Sequence, residues 1–307
     1  MKKYLIIGGK GFIGSHLSKA LFDQGNKVVV IDNAVGGPGK IHNPNITSYN
    51  IPVENTEKFN GVFEKEKPDV VFHLAGAINL RRAPDDPLFL NDRDFLSRTQ
   101  SILDACKTYK VKKILFISSG GAIYQDATKV PTSEKYLPHP KSLYGLANLM
   151  IEKYIEMYCG ANNIDFTFPR LSNVYGPEQW QSGIVPSLIE KMLKGESPVI
   201  YGTGNQTRDF IYITDVVQAL ITLAQEGKNE IYNVGSGREV SLKEVFMLTK
   251  SLLGINIKPT YQKARSQETQ RSALDIKKIK KEFDWVPTTN INDGLSKTIE
   301  YYQNAKV

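Results

Sequence analysis

Cysteine is nearly absent from the 307-residue chain: it has two, Cys106 and Cys159, far apart and both in helix-like segments. That excludes a disulfide scaffold and offers no metal-ligand spacing, so packed free thiols are expected and no metal. Long apolar runs are missing as well. Tyr4-Leu5-Ile6-Ile7, behind Met1-Lys2-Lys3, is too short for a secretory leader or a membrane span, so a cytoplasmic protein without a membrane partner is expected. There is no internal repeat and no low-complexity tract. Acidic residues are in deficit, 32 Asp and Glu against 39 Lys and Arg, a net charge of +7. A basic balance can favour anionic partners. The basic residues are spread out, however, and the densest cluster, Lys277, Lys278, Lys280 and Lys281, reads as one solvated helix face. A phosphorylated small molecule is reason enough for a few buried arginines, and nucleic acid is not expected.

What is present is a soluble globular composition, 41% apolar and 23% charged, with length for a nucleotide-binding domain and a smaller one. Short apolar runs alternate with amphipathic stretches through the first two-thirds. Strands are expected at Tyr4–Ile7, Lys27–Asp32, Ile46–Tyr49, Val70–His73, Lys113–Ser118 and Asp165–Arg170. Helices are expected at Gly14–Gln24, Thr56–Lys65, Asp92–Tyr109 and Tyr144–Cys159. This alternation predicts an α/β fold with a doubly wound parallel sheet, covered on both faces and crossed right-handedly. After about Leu171, Gly and Pro become frequent, helices shorten and loops lengthen. A first domain over 1–172, with a returning segment around 208–233, and a smaller α/β domain over 173–207 and 234–307 are expected.

The segment Gly8-Gly9-Lys10-Gly11-Phe12-Ile13-Gly14 follows the first strand and opens a helix. Glycines allow a tight turn and close approach of backbone to a pyrophosphate, and the helix N-terminus offers free N–H groups to the phosphates. Asp32 ends the second strand, 18 residues past Gly14, where a carboxylate can hold the adenosine ribose and repel a 2′-phosphate. A Rossmann-type site for NAD rather than NADP is expected.

At this point the motifs resemble a family. Gly8-x-x-Gly11-x-x-Gly14-Ser15-His16, Asp32-Asn33 and Asp69-Val70-Val71-Phe72-His73-Leu74-Ala75-Gly76 resemble the UDP-glucose 4-epimerase branch of the extended short-chain dehydrogenases. So do Ser118-Ser119-Gly120-Gly121-Ala122-Ile123-Tyr124, Tyr144-Gly145, Arg170–Pro177, Tyr201–Phe210 and Tyr232–Gly237. The motifs cover nearly the whole chain in the family's order and are specific for the superfamily, far less so for the substrate. The resemblance implies a nucleotide sugar as partner. It assigns NAD contacts to Gly8, Gly11, Phe12, Ile13, Gly14, Asp32, Asn33, Asn50, Ile51, Leu74, Ala75, Gly76, Ser118, Tyr144, Asn148 and Leu171. It assigns the substrate to Ser119, Asn173, Tyr201, Arg208, Arg265 and Glu268. Asn173 and Arg208 match residues at the diphosphate; Arg265 and Glu268 resemble an Arg-x-x-Asp pair, with Glu in place of Asp. Arginine forks suit phosphate oxygens. A salt bridge from Arg208 to Asp209 or Asp215, and a solvated Arg265, are the plainer alternatives.

Family chemistry moves a hydride to and from nicotinamide while a tyrosinate takes the proton from a sugar hydroxyl. Tyr144 matches that tyrosine. The family's assisting hydroxyl falls on Gly120, which lacks one; Ser118 or Ser119 can substitute, Ser119 being nearer in sequence. The larger departure is Asn148, four residues on and on the same helix face, where the family carries a lysine whose charge lowers the tyrosine's pKa. Asparagine supplies no charge; the positively charged nicotinamide of NAD⁺ can supply part of it, and Lys141, which precedes the helix, is a candidate surrogate. Catalytic roles are thus expected for Tyr144, Ser119 and Asn148, and three readings stay open: an active enzyme with an altered base, a slow enzyme, and a relative that only binds. His73 reads as a hydrogen-bonded core histidine, Arg81-Arg82 as a loop pair, and Trp180 and Trp285 as packing.

A 4-epimerase oxidises C4 transiently and returns the hydride with no net redox; a net oxidoreductase is the competing enzyme. A 4,6-dehydratase fits less well, because its Asp-Glu pair falls here on Gly121 and Ala122. A homodimer is expected from apolar residues on more than one face of two helices: Phe95, Leu96, Ile102 and Leu103, then Leu149, Met150, Ile151, Tyr154, Ile155 and Met157.

Overall fold

The structure, a computed structural model, describes residues 1–33, 41, 43–74, 94–179, 183–264 and 268–305. The chain divides into two compact units: Met1–Ile123 with Ser142–Arg170 and Leu220–Tyr232, and Tyr124–Lys141 with Leu171–Ala219 and Asn233–Val307.

The first unit is built on β1 (Lys3–Ile7), α1 (Phe12–Asp23), β2 (Lys27–Asp32), β3 (Thr47–Asn50), α2 (Thr56–Glu66), β4 (Val70–His73), α3 (Asp94–Thr108), β5 (Lys113–Phe116), β6 (Ser118–Ser119), α4 (Gly120–Ile123), α5 (Leu143–Asn162) and β7 (Asp165–Leu171). Further on come β8 (Asn173–Tyr175), α6 (Ile184–Leu193), β9 (Val199–Tyr201), β10 (Thr207–Arg208), β11 (Phe210–Tyr212), α7 (Ile213–Glu226), β12 (Glu230–Val234), β13 (Val240–Ser241), α8 (Leu242–Leu253), β14 (Thr260–Gln262), α9 (Lys277–Phe283) and α10 (Ile291–Asn304). The expected strands and helices are all present, with ends moved by a few residues; Asp92 and Arg93 lie outside the described residues.

The main sheet has the order β12-β7-β5-β4-β1-β2-β3, with β6 on β7. Its β1·β2, β1·β4, β2·β3, β4·β5 and β5·β7 pairs are parallel, as the alternating pattern predicts. The strands read as unbroken apolar runs because both faces are covered. Leu5 and Ile7 join a core with Phe59, Val62 and Phe63 of α2, Ile102 and Leu103 of α3 and Ile151 and Ile155 of α5. Tyr4 and Ile6, pointing the opposite way, are equally buried. β3 is the exception: Thr47-Ser48-Tyr49-Asn50 is polar and largely exposed, as suits an edge. Strand order reverses between β1 and β4, a switch point of the kind at which open α/β sheets bind ligands.

In the second unit β8 pairs with β11 and β9 with β14 in parallel, and β10 pairs antiparallel with β13. Val185, Ile189, Val245, Phe246, Leu295 and Ile299 of its helices are buried. Two carboxylates organise its loops. Asp209 accepts from Ser172 Oγ, Ser236 N and Oγ, Gly237 N and Leu274 N, and Asp215 accepts from Thr288 N and Oγ1 and Thr289 N. Segment Tyr124–Lys141, which the texture of the sequence places in the first domain, is in this unit. Thr132 N donates to Ala273 O, and Thr132 O accepts from Asp275 N and Asn233 Nδ2. The returning segment of the first unit is Leu220–Tyr232.

Candidate active site

The glycine loop is shaped by contacts that only glycine permits. Gly8 has φ +84°, and its N–H donates to Ile31 O at 2.8 Å, tying the loop to β2. A Cβ on Gly14 would stand 2.4 Å from Gly8 O and 2.7 Å from Gly9 Cα, so α1 lies directly against the loop's backbone. A Cβ on Gly9 would meet Val30 at 2.7 Å. Helix α1 starts behind Gly11 with no side-chain cap and no acidic residue in its first turn. By contrast, Asn55, Ser142, Ser241 and Asn290 cap α2, α5, α8 and α10. The N-terminal N–H groups of α1, beside Phe12 and Ile13, thus keep their affinity for an anion.

Asp32 ends β2, and its Oδ2 accepts from Lys10 N at 2.8 Å, joining carboxylate to loop. Register places Asp32 opposite Asn50, and Ile51 N donates to Asp32 O. On the other side Leu74 N donates to Ile7 O, and Ile117 N, just before Ser118, donates to His73 O. The carboxyl ends of five strands therefore gather Asn50, Ile51, Asp32, Asn33, Gly8, Leu74 and Ser118 along one rim. A glycine cradle, a free helix end and a carboxylate on that rim fit a dinucleotide. Ala75 and Gly76 lie outside the described residues.

Ser118 is buried and gives its hydroxyl inward to Glu152 Oε1 at 2.5 Å, so only its backbone is left to face a cofactor. Its neighbour Ser119 turns the other way, toward Tyr144. Tyr144 lies in the first turn of α5, two residues past the cap Ser142, whose Oγ accepts from Gly145 N. Dense surrounding protein pushes the phenol's pKa up; hydrogen bonding to the side chains of Ser119 and Asn148 pulls it partly back. Asn148 is buried and donates from Nδ2 to Tyr144 O at 2.8 Å. Lys141, the candidate surrogate, has its ammonium paired with Asp126 at 2.5 Å, and both side chains are about two-fifths exposed. The neighbours that act on the phenol are neutral.

His73 is buried, with Nε2 at 3.2 Å from Thr99 Oγ1. Thr99 donates its own proton to Phe95 O, so Nε2 carries the hydrogen and the ring is neutral. Burial lowers its pKa to about 4, which agrees with the core reading. Trp285 is buried; Trp180, Arg81 and Arg82 lie outside the described residues.

The second unit brings four of the expected substrate residues onto neighbouring strands and loops. Arg208 donates from one terminal nitrogen to Thr207 O and Thr269 O at 2.8 and 2.7 Å, and its other terminal nitrogen lies 3.5 Å from Glu268 Oε1. Its carboxylate partner is thus Glu268, whereas Asp209 and Asp215 bind the donors named above. Burial lowers the Arg208 pKa and the Glu268 charge raises it back. Gln206 Nε2 donates to Tyr201 O at 2.7 Å and lies 3.3 Å from Glu268 Oε1, linking Tyr201 to the pair. Asn173 N donates to Asp209 O, next to Arg208. Leu171 is buried at the end of β7. Arg265 lies outside the described residues.

Sequence reasoning missed Gln206, and it missed the buried ion pair of Glu152 with Arg170. The signal for the pair was an arginine inside the apolar strand Asp165–Leu171, where a charge needs a partner.

Among the described residues no helix is long and apolar enough to cross a membrane. The model of the NAD-dependent epimerase/dehydratase family matches residues 4–235. A Methanocaldococcus jannaschii protein provisionally named a UDP-glucose 4-epimerase is 36% identical over 303 residues, 98% of each chain. The Thermotoga maritima UDP-glucose 4-epimerase, solved with UDP-glucose, is 34% identical with a TM-score of 0.89 over 99% of each chain. A Bacillus cytotoxicus protein named a UDP-N-acetyl-alpha-D-glucosaminuronate decarboxylase is 32% identical over 326 residues, 98% of each chain.

Proposed function

The chain belongs to the NAD-dependent epimerase/dehydratase family, and from that premise we propose that it is a UDP-hexose 4-epimerase working through transient oxidation at C4. NAD held on the rim by the Gly8–Gly14 loop and Asp32 supplies the hydride acceptor. Tyr144 takes the proton from the C4 hydroxyl and later returns it. Ser119, in place of the hydroxyl absent at Gly120, orients that C4 oxygen, and Asn148 holds ribose without adding charge. Arg208, Asn173, Tyr201, Arg265 and Glu268 hold the nucleotide, the arginines on the diphosphate and Glu268 on a diol.

What supports this reading is Asn148 standing one turn from Tyr144 with its Nδ2 donating to Tyr144 O, together with the pull of the Ser119 and Asn148 side chains on the phenol. Gly121 and Ala122 offer no acid for elimination of water, which argues against a dehydratase. The test is incubation with UDP-glucose and UDP-N-acetylglucosamine, followed by NMR of the C4 configuration and by absorbance of NADH. Inversion without net NADH supports the proposal; stoichiometric NADH means a net oxidoreductase. The raised phenol pKa favours a second reading, a relative that binds NAD and sugar nucleotide without turnover. Binding of both with no conversion even at alkaline pH would establish that reading.

The quaternary state proposed is a homodimer. Phe95, Ile102, Leu103, Ile151 and Ile155 are consumed by the unit's own core, but Leu96 on α3 and Leu146, Met150 and Met157 on α5 are exposed. Leu143, Leu146, Met150 and Met157 follow a helical spacing that forms one stripe, suited to a second copy of the same face. Cytoplasmic residence is proposed with it and agrees with two buried free thiols.

A further inference from the structure

Tyr144, Asn148 and Glu152 stand at i, i+4 and i+8 of α5 and so share one stripe of the helix. Strand β6, two residues long, faces that helix. Consecutive strand residues point opposite ways, so Ser118 and Ser119 reach different partners. Ser118 donates to Glu152 at 2.5 Å, and the Ser119 side chain stands on the side of the Tyr144 phenol, two turns away, and draws the phenol's pKa down. One short strand thus meets one helix at two points, a hydrogen-bonded inner point buried from water and an outer point beside the Tyr144 phenol.

The inner point is fixed by a charge pair. Glu152 and Arg170 have side chains only 1% exposed. Arg170 Nε donates to Glu152 Oε1 at 2.9 Å and its terminal nitrogen to Oε2 at 2.5 Å. Oε1 therefore accepts from both Ser118 and Arg170. A buried pair of this kind is often no more stabilising than apolar residues of the same volume, and its best attested use is to fix register. Here the register in question is that of β6 on α5. The two charges neutralise each other, so the effect on Tyr144 is one of placement.

We propose that Glu152, braced by Arg170 and acting through Ser118, is a positioning residue that sets where the Ser119 hydroxyl meets the Tyr144 phenol. The proposal rests on Tyr144 as the base. Ser118→Ala deletes the inner hydrogen bond and leaves the ion pair whole; Ser118→Thr keeps the hydroxyl. The readouts are the Tyr144 titration by NMR of ring-labelled tyrosine, with Tyr144→Phe assigning the signal, together with kcat, KM and retained NAD. In Ser118→Ala the phenol pKa is expected to rise by up to about one unit, and kcat at pH 7 to fall about three- to tenfold. KM and NAD content stay unchanged, and Thr restores both values. An unchanged titration and kcat in Ser118→Ala overturns the proposal, even with a lowered Tm. Loss of NAD also overturns it, because Ser118 would then be a cofactor ligand. Full kcat in Tyr144→Phe sinks the base assignment alone, and the titration still decides the positioning. Should Ser118→Ala not fold, Glu152→Asp, which keeps the charge and shortens the reach, is read the same way.

Discussion

Replacing Asn148 by lysine puts a number on the missing charge. An ordinary tyrosine titrates near ~10, so roughly one molecule in a thousand is tyrosinate at pH 7. Burial pushes Tyr144 above that, and its neutral partners Ser119 and Asn148 recover only part. Cβ atoms one helical turn apart on the same face stand about 5–6 Å from each other, and that spacing is taken for the two charges. At an effective dielectric of ~20 that separation gives about 3 kcal/mol of attraction, or about two pKa units. Position 148 is only 3% exposed, so desolvation of the new ammonium removes part of the gain. The expected net is a ~10- to 100-fold faster reaction at pH 7. For the native protein the rate should keep rising with pH well above neutrality, because the group that must lose its proton has a raised pKa. The assay is C4 inversion of a UDP-sugar from pH 6 to 10.5 for native protein and Asn148→Lys, with Tyr144→Phe as control, expected ~10²–10⁴-fold slower. Superimposable profiles with a plateau at neutral pH would refute the account of Asn148 as a lost charge.

Three further outcomes are expected. Gly14→Ala drives a methyl into Gly8 O, 2.4 Å away, and should cost about 1–3 kcal/mol or more by denaturant titration and abolish NAD retention; a variant that keeps both contradicts the cradle. His73 is lowered from 6.5 to about 4, so the unfolded chain binds the extra proton first as pH falls. Stability should therefore drop between pH 6.5 and 4, by about 3 kcal/mol, and His73→Gln should flatten that part of the pH–Tm curve. Met150→Glu places a charge in the exposed stripe of α5 and should halve the mass seen by sedimentation at micromolar concentration; an unchanged dimer would move the interface elsewhere.

Much of this was legible because local rules govern it. Val28–Ile31 and Val70–Phe72 are unbroken apolar runs, the mark of strands covered on both faces, and Gly8–Gly14 lies between a strand and a helix as a phosphate loop must. Asp32 was found by its distance from that loop. What stayed hidden depends on partners far along the chain. Tyr124–Lys141 has no period of its own; Thr132 bonds Ala273, Asp275 and Asn233. Lys141 is close to Tyr144 in sequence, yet Asp126 holds its ammonium. Gln206 looks like any polar loop residue until Tyr201 and Glu268 are set around it.

The pairing of Arg208 with Glu268 has a consequence for how an anion is received. Two backbone carbonyls hold the guanidinium and a carboxylate already faces it. On the proposed reading, a phosphate arriving there would displace a resident anion instead of recruiting a loose side chain from water. Little rotamer entropy is lost, but the contact with Glu268 must be surrendered. The net attraction is then the difference between two anions competing for one cation, smaller than either alone. Were the proposed diphosphate to bind at Arg208, this competition would favour exchange of the nucleotide over tight retention.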